Sequence, residues 1–230
     1  MKKYSIILPV RNGSNHVREC VNSILSQTLR DFDLVVLENC STDNTVSIIT
    51  SFNDDRIKIY SSDSPYTIEQ NWERTVAVAK NEFVTLIGHD DVLDKDYLHV
   101  MDELISKHPH ASLYQAHFRY IDADGQEIGK CQPMTEVQKP AEAVHNFLCN
   151  KIDLMGTGFM MSSSDYNRIG GIPSYPNLLF ADMELWIELA RKSYLVKMRS
   201  RLKQWMMLVF VCKKEKPSDW WVKAVAEKLL

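Results

Sequence analysis

Two adjacent carboxylates stand in the run Gly88-His89-Asp90-Asp91, directly after an apolar segment. Neighbouring carboxylates repel each other unless a cation or hydrogen-bond donors compensate their charge. Hard oxygen ligands suit Mg²⁺ and Mn²⁺, which take one or two protein carboxylates and complete their shells with water and substrate phosphates. The run therefore predicts a divalent metal site. The alternative is a turn whose aspartates cap the following helix.

The elements around this run predict an α/β fold with a mainly parallel sheet. Apolar, β-branched segments that predict strands recur at residues 4–10, 33–38, 57–60 and 83–87. Segments with helical spacing separate them, including one at 68–80, as in βαβ units. Ligands of such sheets bind beyond the carboxyl ends of the strands, so the loops that matter are 9–15, 38–43 and 88–94.

The second half of the chain predicts less regular structure. It contains, in order, a long strand at 111–121, a hairpin turn at 122–125, a helix after Pro140, a short helical piece between 161 and 169, a helix at 182–192, a weak strand at 194–198 and a final helix after Pro217. The helix at 182–192 is the clearest of these, because Leu185, Trp186 and Leu189 lie on one face.

The opening segment carries a recognisable pattern of residues within 5–45. An apolar strand leads into Pro9 and Asn12, a helix ends near Gln27, and a second strand is followed by Ser41-Thr42-Asp43-Asn44-Thr45. This pattern resembles the start of the family 2 glycosyltransferases, which have the GT-A fold. The metal-binding D-x-D element of that family resembles residues 88–91, although most members carry an acid where Gly88 stands.

The resemblance implies roles for particular residues. Asp91 would ligate the metal, Mn²⁺ or Mg²⁺, and Asp90 would support the donor sugar or the ribose. The nucleotide donor would lie against Pro9, Val10, Arg11, Asn12, Glu38 and Asn39. Members of the family end the second strand with an acidic pair that reads the nucleoside, whereas this chain has a carboxylate followed by an amide. Both side chains retain hydrogen-bonding groups for a base or ribose, so the identity of the base stays open.

A second, shorter resemblance lies at residues 180–186. Family members place an acidic pair at the start of a helix with a D-L-W-like continuation, and this chain has Ala181 in place of the first acid. The resemblance implies that Asp182 is the general base, which fits the need of an acceptor hydroxyl to lose its proton. The alternative makes Asp182 the N-cap of a helix that begins at Met183. The acceptor-side glycines would be Gly156, Gly158 and Gly171, which are also explained by ordinary turns.

Several other chemistries are excluded by their missing motifs. The chain has no GxxxxGK[ST] phosphate loop, no complete dinucleotide fingerprint, no HExxH and no GxSxG. Among its seven histidines, His89 alone borders the paired carboxylates. A nucleotide-sugar pyrophosphorylase would need a glycine-rich and basic loop after the first strand, where only Arg11 and Gly13 stand.

The charge is distributed unevenly. Residues 191–230 carry eleven Lys and Arg against three acids, which leaves 16 against 27 in residues 1–190. A basic tail with Trp220 and Trp221 predicts either peripheral contact with an anionic membrane or packing of both tryptophans on the core. Salt-sensitive binding to anionic vesicles distinguishes the two. Five scattered cysteines form no CxxC pair, and no apolar run reaches membrane-spanning length, so a cytoplasmic setting is the simplest prediction. Any peripheral contact of the tail would then be with the inner face of the membrane.

Together these features predict a metal-dependent glycosyltransferase with an α/β, GT-A fold. A nucleotide-sugar-binding βα half at 1–110, an acceptor-binding half at 111–195 and a basic tail at 196–230 would form one continuous domain. The donor would be a nucleotide-diphosphate sugar, by default a UDP-sugar, and the acceptor a saccharide or lipid-linked saccharide, with inversion and without nucleic acid. The alternatives are a pyrophosphorylase-like nucleotidyltransferase and a catalytically silent module that binds nucleotide sugars.

Overall fold

Strands and helices alternate through the first hundred residues and then become shorter. The computed structural model describes residues 2–122, 125–132, 135–149, 151–153, 156–197 and 208–211. The strands are β1 (Tyr4–Val10), β2 (Phe32–Glu38), β3 (Ile57–Ser61), β4 (Phe83–Leu86), β5 (Asp91–Leu93), β6 (Leu113–Gln115), β7 (Arg119–Ile121), β8 (Glu127–Lys130), β9 (Val137–Gln138), β10 (Phe159–Ser162), β11 (Leu195–Lys197) and β12 (Leu208–Val211). The helices are α1 (Val17–Leu25), α2 (Thr45–Thr50), α3 (Ile68–Ala77), α4 (Tyr97–Lys107), α5 (Pro140–Leu148), α6 (Ser163–Arg168) and α7 (Ala181–Lys192), with a 3₁₀ turn at Pro176–Leu178.

The larger of the two sheets that the described residues form has the strand order β3-β2-β1-β4-β10-β6-β11-β9. Within it, β3, β2, β1, β4, β6 and β11 run in one direction, and β10 and β9 run in the other. The smaller sheet has the order β5-β12-β7-β8. The predicted α/β class with a mainly parallel sheet is therefore confirmed. The large sheet takes strands from both sides of residue 110.

Helices cover both faces of the large sheet. Successive residues of a buried strand point to opposite sides, so the sheet has two apolar faces that must be covered. Ile6 and Leu8 of β1 belong to an apolar cluster that includes the buried sides of α1 and α4. Ile7 belongs to the opposite cluster, which α6 and α7 join through Tyr166 and Leu185. All seven residues of β1 and of β2 are buried, so both strands lie in the centre of the sheet, as their continuous apolar sequence predicts.

Helix α3 ends three residues earlier than its periodicity predicts. It begins with a capping box in which Thr67 and Gln70 satisfy each other's backbone N–H groups. At its other end Val78 is extended, and the Lys80 ammonium donates to the carbonyls of Thr75, Val76 and Val78 at 2.7–2.9 Å. Lys80 thus satisfies the free carbonyls of the last turn instead of extending the helix.

The long strand predicted at 111–121 is wrong. Residues 113–115 form β6 in the large sheet and residues 119–121 form β7 in the small one. Between them Ala116 N–H donates to the Gly158 carbonyl at 3.3 Å, and Phe118 N–H donates to Cys131 Sγ at 3.3 Å. Because these linking residues are as buried as the strands, the apolar pattern continues across the break. The antiparallel pairing of β7 with β8 agrees with the hairpin turn predicted at 122–125, of which residues 123 and 124 lie outside the described ranges.

The basic tail falls largely on residues that the structure does not describe. The final helix predicted after Pro217, with Trp220 and Trp221, lies wholly outside the described ranges. The membrane and packing interpretations of this tail both stay predictions. No helix within the described residues is long and apolar enough to cross a membrane.

Gly171 is expected to tolerate alanine much less well than its neighbour Gly170. Both have left-handed backbones, with φ of 78° and 83°. A Cβ on Gly171 would lie 2.2 Å from Val76 Cγ2, whereas one on Gly170 would meet no atom within 4 Å. Left-handed strain costs about 1–2 kcal/mol in either variant, and overpacking adds roughly 1–3 kcal/mol at Gly171 alone. Urea unfolding measures both free energies, and equal losses would contradict the close packing of α3 on this turn.

Candidate functional site

The first and second loops at the carboxyl edge of the sheet are joined by three successive backbone N–H groups. Asn12, Gly13 and Ser14 donate in turn to Ser41 Oγ at 3.0 Å, Thr45 Oγ1 at 2.8 Å and Asp43 Oδ2 at 3.0 Å. Hydrogen bonds from Thr45 hold the pKa of the Asp43 carboxyl well below its usual range. The run at 41–45 therefore fixes the loop that follows β1, which gives these polar residues a structural role in this chain.

Asn12 occupies a position that few side chains tolerate. Its φ is 51°, in the left-handed region that asparagine enters more readily than most residues. Its Oδ1 accepts the N–H of Thr42 at 2.8 Å, which ties the same two loops together a fourth time. Among the other predicted donor residues of this loop, Pro9 and Val10 are buried in β1, and Arg11 is exposed with Nη1 3.5 Å from the Tyr66 carbonyl.

Glu38 and Asn39 are buried at the end of β2, with 4% and 2% of their surfaces exposed. Glu38 Oε1 accepts the N–H of Ser41 at 2.6 Å. The Asn39 amide pairs with the backbone of Tyr66, donating to its carbonyl at 3.0 Å and accepting its N–H at 2.7 Å. Asn39 therefore holds the loop that leads into α3. Of the predicted pair, Glu38 retains an oxygen for which the described residues provide no hydrogen bond.

Arg74 of α3 supports the end of β2, where Glu38 lies, and was not identified from the sequence. It donates to the Glu38 carbonyl at 2.9 Å and to the Tyr60 carbonyl at 2.5 Å, so it joins the ends of β2 and β3. Its guanidinium also lies 5.6 Å from the centre of the Tyr66 ring. A helical arginine looks like a solvated surface residue in a sequence, and only the packing of α3 against the strand ends reveals this role.

The paired carboxylates lie where β4 ends, in unequal surroundings. Asp91 is 2% exposed, and Asp90 is half-buried. Burial raises the pKa of the Asp91 carboxyl to about 8, and the charge of Asp90 adds to this rise. A Cβ on Gly88 would stand 2.8 Å from Asp90 Oδ1 and 3.2 Å from Asp91 Oδ2. The two carboxylates therefore fill the space that a side chain at position 88 would need.

His89 connects the carboxylate loop to the first loop. A Cβ on Gly13 would lie 2.6 Å from His89 Cδ2, so the ring packs directly on the glycine backbone. Burial lowers the pKa of His89, which favours the neutral imidazole. The structure thus brings the loops after β1, β2 and β4 together at one edge, as the parallel topology predicts.

Asp182 lies in the first turn of α7. The helix begins at Ala181, so Asp182 is not its N-cap, although its Oδ1 accepts the N–H of Met183 at 2.8 Å. Burial raises the pKa of the half-buried Asp182 carboxyl. Ala181, where the resemblance leads us to expect an acid, is fully buried in the apolar cluster. A charged side chain at this position would be desolvated at a cost in free energy.

The loop before β10 contacts both of the predicted active-site aspartates. Thr157 Oγ1 donates to Asp91 Oδ2 at 2.6 Å. A Cβ on the preceding residue, Gly156, would lie 3.4 Å from Asp182 Oδ2. Gly158 has a φ of 81° and begins the turn into β10. Two adjacent residues therefore join the carboxylate loop to α7, and Thr157 was not identified from the sequence because a lone threonine carries no signal.

Gly171 contacts neither the carboxylate loop nor Asp182 in the described part of the chain. The atoms nearest to a Cβ at that position belong to Val76 and Tyr166, both in the apolar cluster beneath α3 and α6. Packing explains the glycine at position 171. Its proposed place beside the acceptor stays a prediction.

The residues around Asp91 fit a divalent ion. Asp91 Oδ1 is buried and has no hydrogen-bond partner among the described residues, a situation that is unfavourable unless a cation or proton compensates it. No group of three or more His, Cys, Asp or Glu side chains that could hold a metal occurs in the described part of the chain. An ion here would therefore take its remaining ligands from water and substrate phosphates, as Mg²⁺ and Mn²⁺ commonly do.

Comparison with known proteins identifies the chemistry of related chains. Residues 5–170 match the model of glycosyl transferase family 2. The glycosyltransferase GlyG of Streptococcus pneumoniae is 24% identical over 123 residues, which are 53% of this chain and 41% of GlyG. TarS of Staphylococcus aureus, a poly(ribitol-phosphate) beta-N-acetylglucosaminyltransferase, is 30% identical over 112 residues, which are 47% of this chain and 20% of TarS. The matched chain thus spans less than half of either relative.

Solved structures have the same fold at low identity. A structure of TarS residues 1–349 with UDP-GlcNAc has a TM-score of 0.73 and 16% identity, and covers 93% of this chain and 59% of that one. The mannosyltransferase PcManGT of Pyrobaculum calidifontis, in complex with GDP-Man and Mn²⁺, has a TM-score of 0.69 and 14% identity, and covers 97% and 61%. These likenesses confirm the predicted GT-A fold.

Proposed function

Because the chain belongs to glycosyl transferase family 2, we propose that it transfers a sugar from a nucleotide-diphosphate donor to an acceptor hydroxyl. One observation carries this proposal beyond family membership. A buried carboxylate with an unpartnered oxygen, Asp91, and a second carboxylate with a raised pKa, Asp182, are joined through adjacent residues of one loop. This is the pair of groups that a donor diphosphate and an acceptor hydroxyl require.

On the donor side, Asp91 would hold the divalent ion and Asp90 would contact the donor sugar or ribose. When bound, Mn²⁺ or Mg²⁺ would neutralise the charge that develops on the departing diphosphate. The Mn²⁺ complex of PcManGT supports this metal. The first loop would approach the donor with its backbone fixed by the run at 41–45, so that little ordering remains to be done on binding.

On the acceptor side, Asp182 would remove the proton of the attacking hydroxyl. A carboxylate with a raised pKa is a stronger base than an exposed one, and a positioned base contributes about 10²–10⁴-fold to the rate. Attack on the anomeric carbon opposite the leaving diphosphate would be a single displacement and would invert that carbon. The competing module without catalysis would retain donor binding and lack turnover.

The identities of the donor base and the acceptor are inferred from Glu38 and from the relatives. Glu38 would accept from a base or ribose through the oxygen that does not bind the Ser41 N–H. The TarS complex favours a UDP-sugar, whereas the PcManGT complex contains GDP-Man. The name of TarS favours a polymeric acceptor with free hydroxyl groups, and a saccharide or lipid-linked saccharide is the acceptor class that the sequence predicts. Cytoplasmic location and membrane contact through the tail stay predictions from sequence.

A panel of nucleoside diphosphates tests the donor site. Ligands that bind the folded state raise its apparent stability, so UDP with Mn²⁺ is expected to raise the midpoint of thermal unfolding. GDP, CDP and ADP are the matched comparisons, since they share the ribose and diphosphate of UDP and differ from it only in the base. A larger shift with GDP would change the proposed base. No shift with any diphosphate at millimolar concentration would contradict a nucleotide-sugar site.

A further inference from the structure

Thr157 forms the one hydrogen bond that the described side chains make to the Asp91 carboxylate. Its hydroxyl donates to Oδ2 at 2.6 Å, and both residues are buried, at 8% and 2% exposure. The N–H of Asp91 itself donates to the Gly88 carbonyl at 3.2 Å, which fixes the backbone of the carboxylate loop. A hydrogen bond to a buried carboxylate is worth more than one at the surface, because water cannot replace it.

We propose that Thr157 is the positioning residue of the metal site and that its loop links this site to the acceptor base. By occupying Oδ2, the hydroxyl fixes the rotation of the carboxylate and leaves Oδ1 directed to the ion. Partners of metal ligands orient those ligands in this way, and their loss weakens the site even though they never touch the metal. The inference rests on the proposed metal-dependent transfer.

The position of the loop extends this role to Asp182. A Cβ on Gly156 would lie 3.4 Å from Asp182 Oδ2, at van der Waals distance, so the backbone at this position lies beside the carboxylate. On the other side of Thr157, the Gly158 carbonyl accepts the N–H of Ala116 at 3.3 Å, and Phe159 begins β10, which pairs with β4. The loop is therefore held at its carboxyl end. A shift of Asp91 that carried Thr157 with it would change the position of Gly156 relative to the acceptor base.

Replacing Thr157 with valine removes the hydroxyl at nearly constant volume, and Thr157→Ser keeps the hydroxyl and removes the methyl group. Binding of Mn²⁺ is measured in the presence of UDP, from the electron paramagnetic resonance signal of the free ion. The dissociation constant of Mn²⁺ is expected to rise about 10–100-fold in Thr157→Val, the usual effect of losing such a partner, and to stay near the wild-type value in Thr157→Ser.

A second pair of measurements separates positioning from a general structural role. Affinity for UDP in EDTA is expected to change little in Thr157→Val, although the loss of a buried hydrogen bond lowers the midpoint of thermal unfolding. General damage to the fold would weaken UDP binding in EDTA as well. If Thr157→Val fails to fold, Thr157→Cys keeps the volume with a much weaker donor and is expected to weaken Mn²⁺ binding in the same sense.

The outcomes distinguish this inference from the proposed function. Wild-type Mn²⁺ affinity in a folded Thr157→Val or Thr157→Cys protein overturns the role of Thr157 and leaves the proposed transfer untouched. A wild-type protein that binds UDP and no Mn²⁺ overturns the metal site and this inference with it. A wild-type protein that binds neither overturns the proposed function itself.

Discussion

Asp91→Asn is expected to abolish Mn²⁺-dependent sugar transfer and leave the fold intact. The amide keeps an oxygen that can accept the Thr157 hydroxyl and lacks the charge that an ion requires. Because burial raises the pKa of Asp91 to about 8, its metal-free form at neutral pH is largely the neutral acid, which asparagine imitates. Loss of several kcal/mol of charge stabilisation corresponds to a rate reduction of about 10³-fold or more.

The neighbouring Asp90→Asn is the matched control for that substitution. It removes one carboxylate from the same loop, but from a half-buried residue assigned to the donor sugar or ribose. It is expected to weaken donor binding and to preserve the dependence on Mn²⁺. Transfer by Asp91→Asn at the wild-type rate, with circular dichroism and thermal unfolding unchanged, would remove Asp91 from the mechanism.

The other large effect is expected at Asp182. Asp182→Asn removes the base without changing the size of the side chain, and turnover should fall by ~10²-fold or more. Donor affinity should change little, because among the described residues Asp182 accepts the N–H of Met183 in α7 and lies beside Gly156 on the predicted acceptor side. Steady-state kinetics with a saturating donor measure turnover, and thermal shift with UDP measures donor binding.

The pH dependence provides a further check on Asp182, provided that Mn²⁺ is saturating at every pH and so keeps Asp91 deprotonated. Burial raises the pKa of the Asp182 carboxyl, and the base acts only when deprotonated. Turnover is therefore expected to decline as the pH falls through the raised pKa, and Asp182→Asn should lose this acidic limb. Glu184→Gln is the control, since Glu184 lies in the same turn and accepts a hydrogen bond from the Tyr175 hydroxyl. If the acidic limb of the pH profile disappears in Glu184→Gln and remains in Asp182→Asn, the assignment of Asp182 as the base is wrong.

The parts of the fold that could be predicted from the sequence are those set by local pattern. The first four strands and their loops follow from continuous apolar segments separated by turn residues, and parallel topology then brings loop ends to one edge. Residues 111–121 could not be divided correctly in this way, because buried linking residues have the same apolar character as the strands. The spacing of apolar residues indicates which residues are buried. It does not indicate where one strand ends and the next begins when both strands, in different sheets, are buried.

The sequence could predict the chemical type of each site residue, but it could not predict which other residues contact it. Asp91 and Asp182 lie in opposite halves of the chain, and only the folded loop at 156–158 reveals that adjacent residues contact both. Asn39 was predicted to meet the nucleoside, yet its amide is engaged by the Tyr66 backbone. Such partners are distant in sequence and leave no spacing pattern. The residue type alone therefore predicts which hydrogen bonds a side chain can form, and not which group it binds.

The most direct test of the account is donor turnover by the full chain. Release of nucleoside diphosphate is measured with UDP-sugars and GDP-mannose, in Mn²⁺ and in EDTA, for the wild-type protein and for Asp182→Asn. The account predicts turnover of at least one donor with Mn²⁺, loss of that turnover in EDTA, and a reduced rate in Asp182→Asn that still binds the donor. Equal turnover in Mn²⁺ and EDTA, or donor binding without any turnover in the presence of saccharide acceptors, would contradict metal-dependent transfer.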